Sequence, residues 1–169
     1  PSRARNPIRG WGAPARLAGV VRLAILGLGL IGGSIARALA VREPGAWHVT
    51  AWSRTPDGPR RAVEEGVVAD AVSDAAAAIA GADLVVLAAS PAANLALVER
   101  LGPALAATGG LLTDVTSVQA PIAARAAAVP GLRFVGGHPM SGREQHGYAA
   151  ADAALFVDRP LVVLPGPRA

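Results

Sequence analysis

The most regular pattern in the chain is an apolar run at residues 20–26, which passes through closely spaced glycines into an amphipathic stretch. The run has the length of a strand. Beyond the glycines, apolar side chains recur at Ile31, Ile35, Ala38 and Leu39, which is the spacing of one face of a helix. The pattern therefore predicts a strand, a tight turn and a helix, in that order.

The same alternation continues along the chain and predicts a doubly wound α/β fold with a mostly parallel sheet. A second strand at 48–52 completes a βαβ unit, whose crossover should be right-handed. The run at 84–88 is apolar on both faces, which is typical of a parallel strand covered by helices on each side. We expect one domain over residues 20–167, preceded by a flexible leader at 1–19. The other predicted elements are strands at 109–114, 134–135 and 159–165, an extended piece at 67–70, helices at 59–65, 75–80, 95–101 and from Pro121, and a loop at 89–94.

The turn after the first strand has the glycine spacing of a dinucleotide-binding fingerprint, with Gly27, Gly29 and Gly32. Gly27 permits a tight turn, Gly29 lets a pyrophosphate approach the backbone, and Gly32 lets the helix pack closely on the strand. The amides that open the helix, at Leu30 and Ile31, and its positive dipole end then favour phosphate. The alternative is an ordinary tight turn, since a glycine-rich chain produces such spacings by chance.

The residues after the second strand bear on which dinucleotide binds. An acid at this position holds the ribose 2′-hydroxyl of NAD, whereas an arginine nearby accommodates the 2′-phosphate of NADP. The chain has Ser53, Arg54 and Thr55 here, and no acid before Asp57. Because a hydroxyl and a guanidinium bind phosphate and a carboxylate repels it, we expect NADP, with NAD still open. The alternative is that Arg54 is a solvated loop arginine.

Composition excludes several kinds of site and partner. The 169 residues contain no cysteine, which excludes disulfides, thiolate metal sites and cysteine nucleophiles. Hydrophobic residues make up 52% of the chain, but no apolar run reaches the 18 or so residues of a membrane span. Arginines outnumber acids, giving a net charge of +4, yet they are scattered and not interleaved with aromatic residues. We therefore expect no membrane and no nucleic-acid partner, and an anionic small molecule fits the charge as well.

Several polar residues follow the predicted strands, at the sheet edge where ligands of open α/β folds bind. A histidine, His138, leaves the strand at 134–135 through two glycines, where it could exchange a proton beside a hydride acceptor. The alternative is a histidine that only orders its own loop. For Ser117 the alternative is stronger than for His138: Asp114 and Ser117 could form an N-terminal cap of the helix at Pro121. The three histidines show no metal-ligand spacing, so no metal is implied. Ser90 and Pro91 follow the predicted strand at 84–88, so we expect them at the same edge of the sheet.

Three of these segments resemble, in order and spacing, the prephenate/arogenate dehydrogenase family: 27–34 (GLGLIGGS), 114–118 (DVTSV) and 136–142 (GGHPMSG). The segment 155–165 is similar to that family's closing strand region. Each glycine motif alone is shared by many dehydrogenases, whereas GGHPMSG followed by the acid Glu144 is far more selective. The resemblance covers residues 20–167.

The resemblance implies an NAD(P)-dependent oxidative decarboxylation in tyrosine biosynthesis, with prephenate or arogenate as the substrate, in the cytoplasm. His138 would accept the proton of the substrate's ring hydroxyl as hydride leaves, Ser117 would help hold that hydroxyl, and Glu144 would lie at the mouth of the site. The family commonly has lysine where this chain has Gln119. The family's helical domain, which dimerises and supplies arginines for the substrate carboxylates, is expected after residue 169 and is absent here. Two alternatives are another hydroxyacid-type dehydrogenase, whose usual catalytic lysine this lysine-free chain lacks, and a non-catalytic NAD(P)-binding module.

Overall fold

The computed structural model describes residues 19–164, so almost all of the predicted leader and the last residues of the predicted domain lie outside the described residues. Strands and helices alternate from the first element onward. The strands are β1 (Val21–Leu26), β2 (Trp47–Trp52), β3 (Asp70–Ala71), β4 (Leu84–Leu87), β5 (Leu111–Asp114), β6 (Arg133–Pro139) and β7 (Leu161–Leu164). The helices are α1 (Leu30–Arg42), α2 (Asp57–Glu64), α3 (Ala75–Ile79), α4 (Pro91–Thr108) and α5 (Gln119–Ala127), followed by a 3₁₀ turn at Tyr148–Ala150.

The strands form one sheet in the order β3-β2-β1-β4-β5-β6-β7. All neighbouring pairs are parallel except β6 and β7, which are antiparallel. This confirms the predicted doubly wound, mostly parallel sheet. The strand order reverses between β1 and β4, so a crevice opens beyond the carboxyl ends of these two strands.

Helices cover both faces of the sheet, and alternate residues of the central strands enter two separate cores. Leu23 and Ile25 of β1 pack on the face that carries α1 and α2. Ala24 and Leu26 pack on the face that carries α3, α4 and α5. Ile25 and Leu26 are fully buried, and each contributes roughly 1.5–3 kcal/mol of transfer free energy. Burial on both faces explains why residues 23–26 of this strand are all apolar.

Three helix starts differ from the sequence prediction, and the first is α2, which begins at Asp57, two residues before its predicted start. The predicted loop at 89–94 is wrong, because α4 begins at Pro91 and Ser90 caps it, its hydroxyl accepting from the Ala93 amide at 3.4 Å. Serine followed by proline is a helix-start signal that the loop interpretation overlooked. Helix α5 begins at Gln119 and has no side-chain cap, so Asp114 and Ser117 do not cap it. Among residues 19–164, no helix combines the length and apolar character needed to cross a membrane.

Candidate functional site

A cavity of about 670 Å³ lies in the crevice between β1 and β4. Its walls come from the glycine turn, the end of β2, the end of β4 and the 3₁₀ turn near the end of the chain. This is where the topology places the ligand of an open α/β sheet. The lining comprises residues 27–29, 52–55, 57, 58, 61, 88–90, 93 and 147–149.

The three fingerprint glycines meet three different spatial demands. Gly27 has φ +108°, and a Cβ there would lie 2.5 Å from the Ala89 amide nitrogen. A Cβ on Gly32 would lie 2.2 Å from the Gly27 carbonyl oxygen, so α1 can pack this closely only on a glycine. A Cβ on Gly29 would meet nothing within 4 Å, because Gly29 faces the open cavity. The first amides of α1, those of Leu30, Ile31 and Gly32, have no partners within the helix and are available to phosphate.

Two hydrogen bonds join the end of β2 to the glycine turn. The Ser53 hydroxyl accepts a 2.6 Å hydrogen bond from the Leu28 amide, and the Gly27 amide donates to the Trp52 carbonyl at 2.7 Å. Arg54 and Thr55 are exposed at the cavity wall. The structure therefore brings together the fingerprint and the predicted cofactor-selecting residues. Ser53 has a structural role that its sequence position did not reveal.

A cluster of polar side chains closes the cavity beside α2, and the sequence analysis did not identify it. Glu65 accepts from Arg61 Nε at 2.7 Å, from Arg37 Nη2 at 2.8 Å and from the Tyr148 hydroxyl at 2.9 Å. The hydrogen bond from Arg61, followed by that from Tyr148, lowers the pKa of Glu65 below its usual value. Burial, followed by the hydrogen bond to Glu65, raises the pKa of Tyr148. Arg61 and Tyr148 both line the cavity, so this cluster forms part of its wall.

Tyr148 fixes the segment that follows His138 against α1. Its side chain fills space that Gly33 and Gly58 leave free, since a Cβ would lie 2.8 Å and 3.1 Å from Tyr148 atoms respectively. The Arg37 guanidinium lies 4.8 Å from the centre of the ring. Nearby, the Asp152 amide donates to the buried Ser34 hydroxyl at 2.9 Å. The chain's one tyrosine, just after Gly147, was the only sequence signal for this contact.

The predicted catalytic residues lie at the carboxyl ends of β5 and β6. Asp114 pairs with Gly136 in the sheet. Ser117 comes three residues after Asp114, and His138 comes two residues after Gly136. Ser117 is exposed, and His138 is half-buried opposite Val162 of β7. The two segments therefore lie side by side, as the strand order of the fold requires.

Several predicted site residues do not line the cavity. Asp114 is fully buried, and its carboxylate accepts from the Thr116 amide at 3.2 Å and the Thr116 hydroxyl at 2.5 Å. These hydrogen bonds order the loop after β5, and the cofactor contact expected for Asp114 stays a prediction. Glu144 is exposed in the loop after β6. The predicted residues outside the lining are Leu30, Ile31, Gly32, Pro91, Asp114, Ser117, His138 and Glu144, whereas Ser90 lies within it.

Within residues 19–164, no group of three or more His, Asp or Glu side chains is arranged to hold a metal ion. His48 on β2 contacts the Asp70 carboxylate on β3 at 2.7 Å. This histidine therefore joins two neighbouring strands at the edge of the sheet, away from the cavity.

Comparison with known proteins gives consistent results. Residues 36–168 match the family model described as the nucleotide-binding domain of prephenate dehydrogenase. A prephenate dehydrogenase of Bacillus subtilis (strain 168) is 33% identical over 144 residues, which are 84% of this chain and 38% of that protein. The crystal structure of Synechocystis arogenate dehydrogenase is 30% identical with a TM-score of 0.74, over 87% of this chain and 51% of that one. The structure of Aquifex aeolicus prephenate dehydrogenase in complex with hydroxyphenyl propionate and NAD+, 23% identical, shares the fold with a TM-score of 0.74 over 88% of this chain and 52% of that one. The chain thus spans between 38% and 52% of the length of these proteins.

Proposed function

This chain belongs to the prephenate dehydrogenase family, as its nucleotide-binding domain, and from that premise we propose that the full-length protein oxidatively decarboxylates prephenate or arogenate. The observation that carries the proposal is the position of His138. This half-buried histidine lies inside β6, which extends beyond the predicted strand at 134–135, and it stands next to the Ser117 loop at the same edge of the sheet as the glycine-lined cavity. The edge thus combines a glycine-lined cavity with a side chain that can accept a proton.

The cavity fits a dinucleotide. Its volume of about 670 Å³ falls within the roughly 300–1,000 Å³ of small-molecule sites. Gly29 presents bare backbone to open space, and the unpaired amides of α1 point to where a pyrophosphate would lie. When bound, the nicotinamide supplies the hydride acceptor.

The chain's own residues would handle the proton. His138 accepts the proton of the substrate's ring hydroxyl as that carbon loses hydride, and Ser117 donates a hydrogen bond that holds the oxygen. Loss of carbon dioxide then sends the electron pair of the broken bond into the ring, which becomes aromatic as its oxygen takes the proton back from His138. Glu144 is exposed in the loop after β6, and it would gate the mouth of the site or sense charge there. The protein's work is therefore orientation and proton acceptance.

The test is a His138→Asn substitution in the full-length protein, assayed with prephenate and with arogenate through the absorbance of reduced cofactor. We expect turnover to fall by about 10²- to 10⁴-fold, because a general base contributes that much, and the dissociation constant of the cofactor to stay the same. His146→Asn, at an exposed loop position, is the matched control and should retain turnover. Full turnover in His138→Asn would contradict the assignment.

The same site supports NADP over NAD. Arg54 is an exposed guanidinium at the cavity wall, and Ser53 can still donate its own hydroxyl proton while accepting from Leu28. Asp57 also lines the cavity, but it follows the Ser-Arg-Thr segment at the start of α2. Calorimetric titration should show a lower dissociation constant for NADPH than for NADH. Equal constants would remove the preference.

The full-length protein would act as a homodimer, through the helical region that the resemblance implies beyond this chain. The matched region covers only 38% of the Bacillus subtilis relative, so that relative has room for such a helical region. Light scattering should give the mass of a dimer for the full-length protein and of a monomer for residues 1–169. A dimeric 1–169 chain would place the contact in this domain instead.

A further inference from the structure

Gln119, the first residue of α5, connects the two segments that carry Ser117 and His138. Its side-chain nitrogen Nε2 donates to the Thr116 carbonyl at 2.6 Å and to the Gly137 carbonyl at 3.0 Å. The first carbonyl belongs to the β5–α5 loop and the second to strand β6. One amide group therefore bridges two segments that are far apart in sequence.

The two carbonyls stand immediately before the two candidate catalytic residues. A peptide group is planar, so the Thr116 carbonyl fixes the plane that contains the Ser117 nitrogen. The Gly137 carbonyl fixes the plane that contains the His138 nitrogen in the same way. By holding both oxygens, Gln119 sets the separation and relative orientation of the backbone at Ser117 and His138.

The surroundings of Gln119 allow only one orientation of its amide. Carbonyl oxygens accept and cannot donate, so the nitrogen must face Thr116 and Gly137. The amide oxygen Oε1 is buried without a hydrogen-bond partner among the described residues. It lies 2.2 Å from where a Cβ on Gly136 would be, so the side chain fits only because this position is glycine.

The structure assigns to Gln119 the role of a positioning residue, which holds Ser117 and His138 in register for proton transfer. This inference rests on the proposed function. Gln119 donates to backbone only, so any group that donates two hydrogen bonds from the same place can replace it. A side chain of similar size without a donor cannot.

The decisive comparison is Gln119→Met against Gln119→Lys in the full-length protein. Methionine fills similar space but donates nothing, whereas the lysine ammonium has three donors on a flexible stem. We expect kcat of Gln119→Met to fall by roughly 10- to 100-fold, since small displacements of catalytic groups have effects of that order. The cofactor dissociation constant should stay within about twofold, because the cavity lining excludes Gln119. Gln119→Lys should recover most of kcat, and Gln145→Met, at an exposed position, should match the wild type.

Unchanged kcat in Gln119→Met, or no recovery in Gln119→Lys when both variants have the wild-type Tm, would overturn the inference. If the wild type turns over neither prephenate nor arogenate, the proposed function fails. The positioning role of Gln119 can then still be tested by NMR. The ¹³C and ¹⁵N resonances of the His138 ring and the Ser117 amide should then move in Gln119→Met and return in Gln119→Lys. Unmoved resonances would count against Gln119 independently of activity.

Discussion

The two halves of the candidate site are built differently. The cofactor half, comprising the glycine turn, residues 53–55, α2 and the turn at Tyr148–Ala150, is tied by contacts between distant parts of the chain. The half that carries the proposed catalytic residues is called the catalytic half; it comprises residues 114–119, 136–144 and β7, and it is open. Ser117 and Glu144 are exposed, Met140 is 52% exposed, and all four residues of β7 are exposed.

The two halves also differ in how far apart in sequence their contacting residues are. In the cofactor half, Tyr148 reaches Glu65 across 83 positions of sequence, so the cavity wall exists only when the whole domain has folded. In the catalytic half strand pairing joins distant segments, but the side-chain hydrogen bonds are short in sequence, as between Asp114 and Thr116, and the longer one is from Gln119 to Gly137. We therefore expect nucleotide binding to depend on the contacts of the cofactor half and turnover to depend on the open half.

The largest expected effect comes from the two glycines that differ most in their surroundings. Gly32→Ala places a Cβ against the Gly27 carbonyl and should lower the free energy of unfolding by about 1–3 kcal/mol, as overpacking does. Gly29→Ala meets nothing within 4 Å and should leave stability within about 0.5 kcal/mol, while weakening dinucleotide binding at least tenfold by occupying its space. Urea unfolding and calorimetry measure the two quantities. Equal stability losses would contradict the division of roles among the glycines.

A smaller effect is expected from Arg54→Ala. Removing the guanidinium should weaken NADPH binding by roughly tenfold, which corresponds to about 1.4 kcal/mol, and leave NADH unchanged. Arg60→Ala is the matched control, because Arg60 is exposed on α2 but does not line the cavity. Parallel losses for NADPH and NADH in Arg54→Ala would show that Arg54 does not recognise the 2′-phosphate.

The smallest effect concerns the pH dependence of stability. Because hydrogen bonds lower the folded-state pKa of Glu65, its contribution is fully present above its unfolded pKa and is lost as the pH falls through the folded one. When the pH is lowered from about 6 to about 3, the free energy of unfolding should fall less for Glu65→Gln than for the wild type. Glu64→Gln, at the neighbouring exposed position, should follow the wild-type curve. Parallel curves for the wild type and Glu65→Gln would show that the cluster adds nothing to the cofactor half.

The sequence predicted the sheet and the glycine turn because local patterns determine both. Gly27, Gly29 and Gly32 form a fixed spacing, and the central strands are apolar wherever helices cover them. It did not predict that Tyr148 contacts Glu65 or that Ser53 accepts from Leu28, because these contacts depend on the tertiary arrangement. The α4 boundary was predictable from Ser90 and Pro91, and was missed only because the segment was read as a loop.

The fit between Gly33 and Tyr148 also limits how the sequence can change over evolution. Glycine inside a helix costs roughly 0.5–1 kcal/mol relative to alanine, so position 33 would otherwise favour a larger residue. A Cβ at position 33 would lie 2.8 Å from a ring atom of Tyr148 and 2.8 Å from the Ala151 Cβ, so a side chain can appear there only after both neighbours have given way. A glycine at 33 should therefore be inherited together with the ring at 148 and the packing of residue 151.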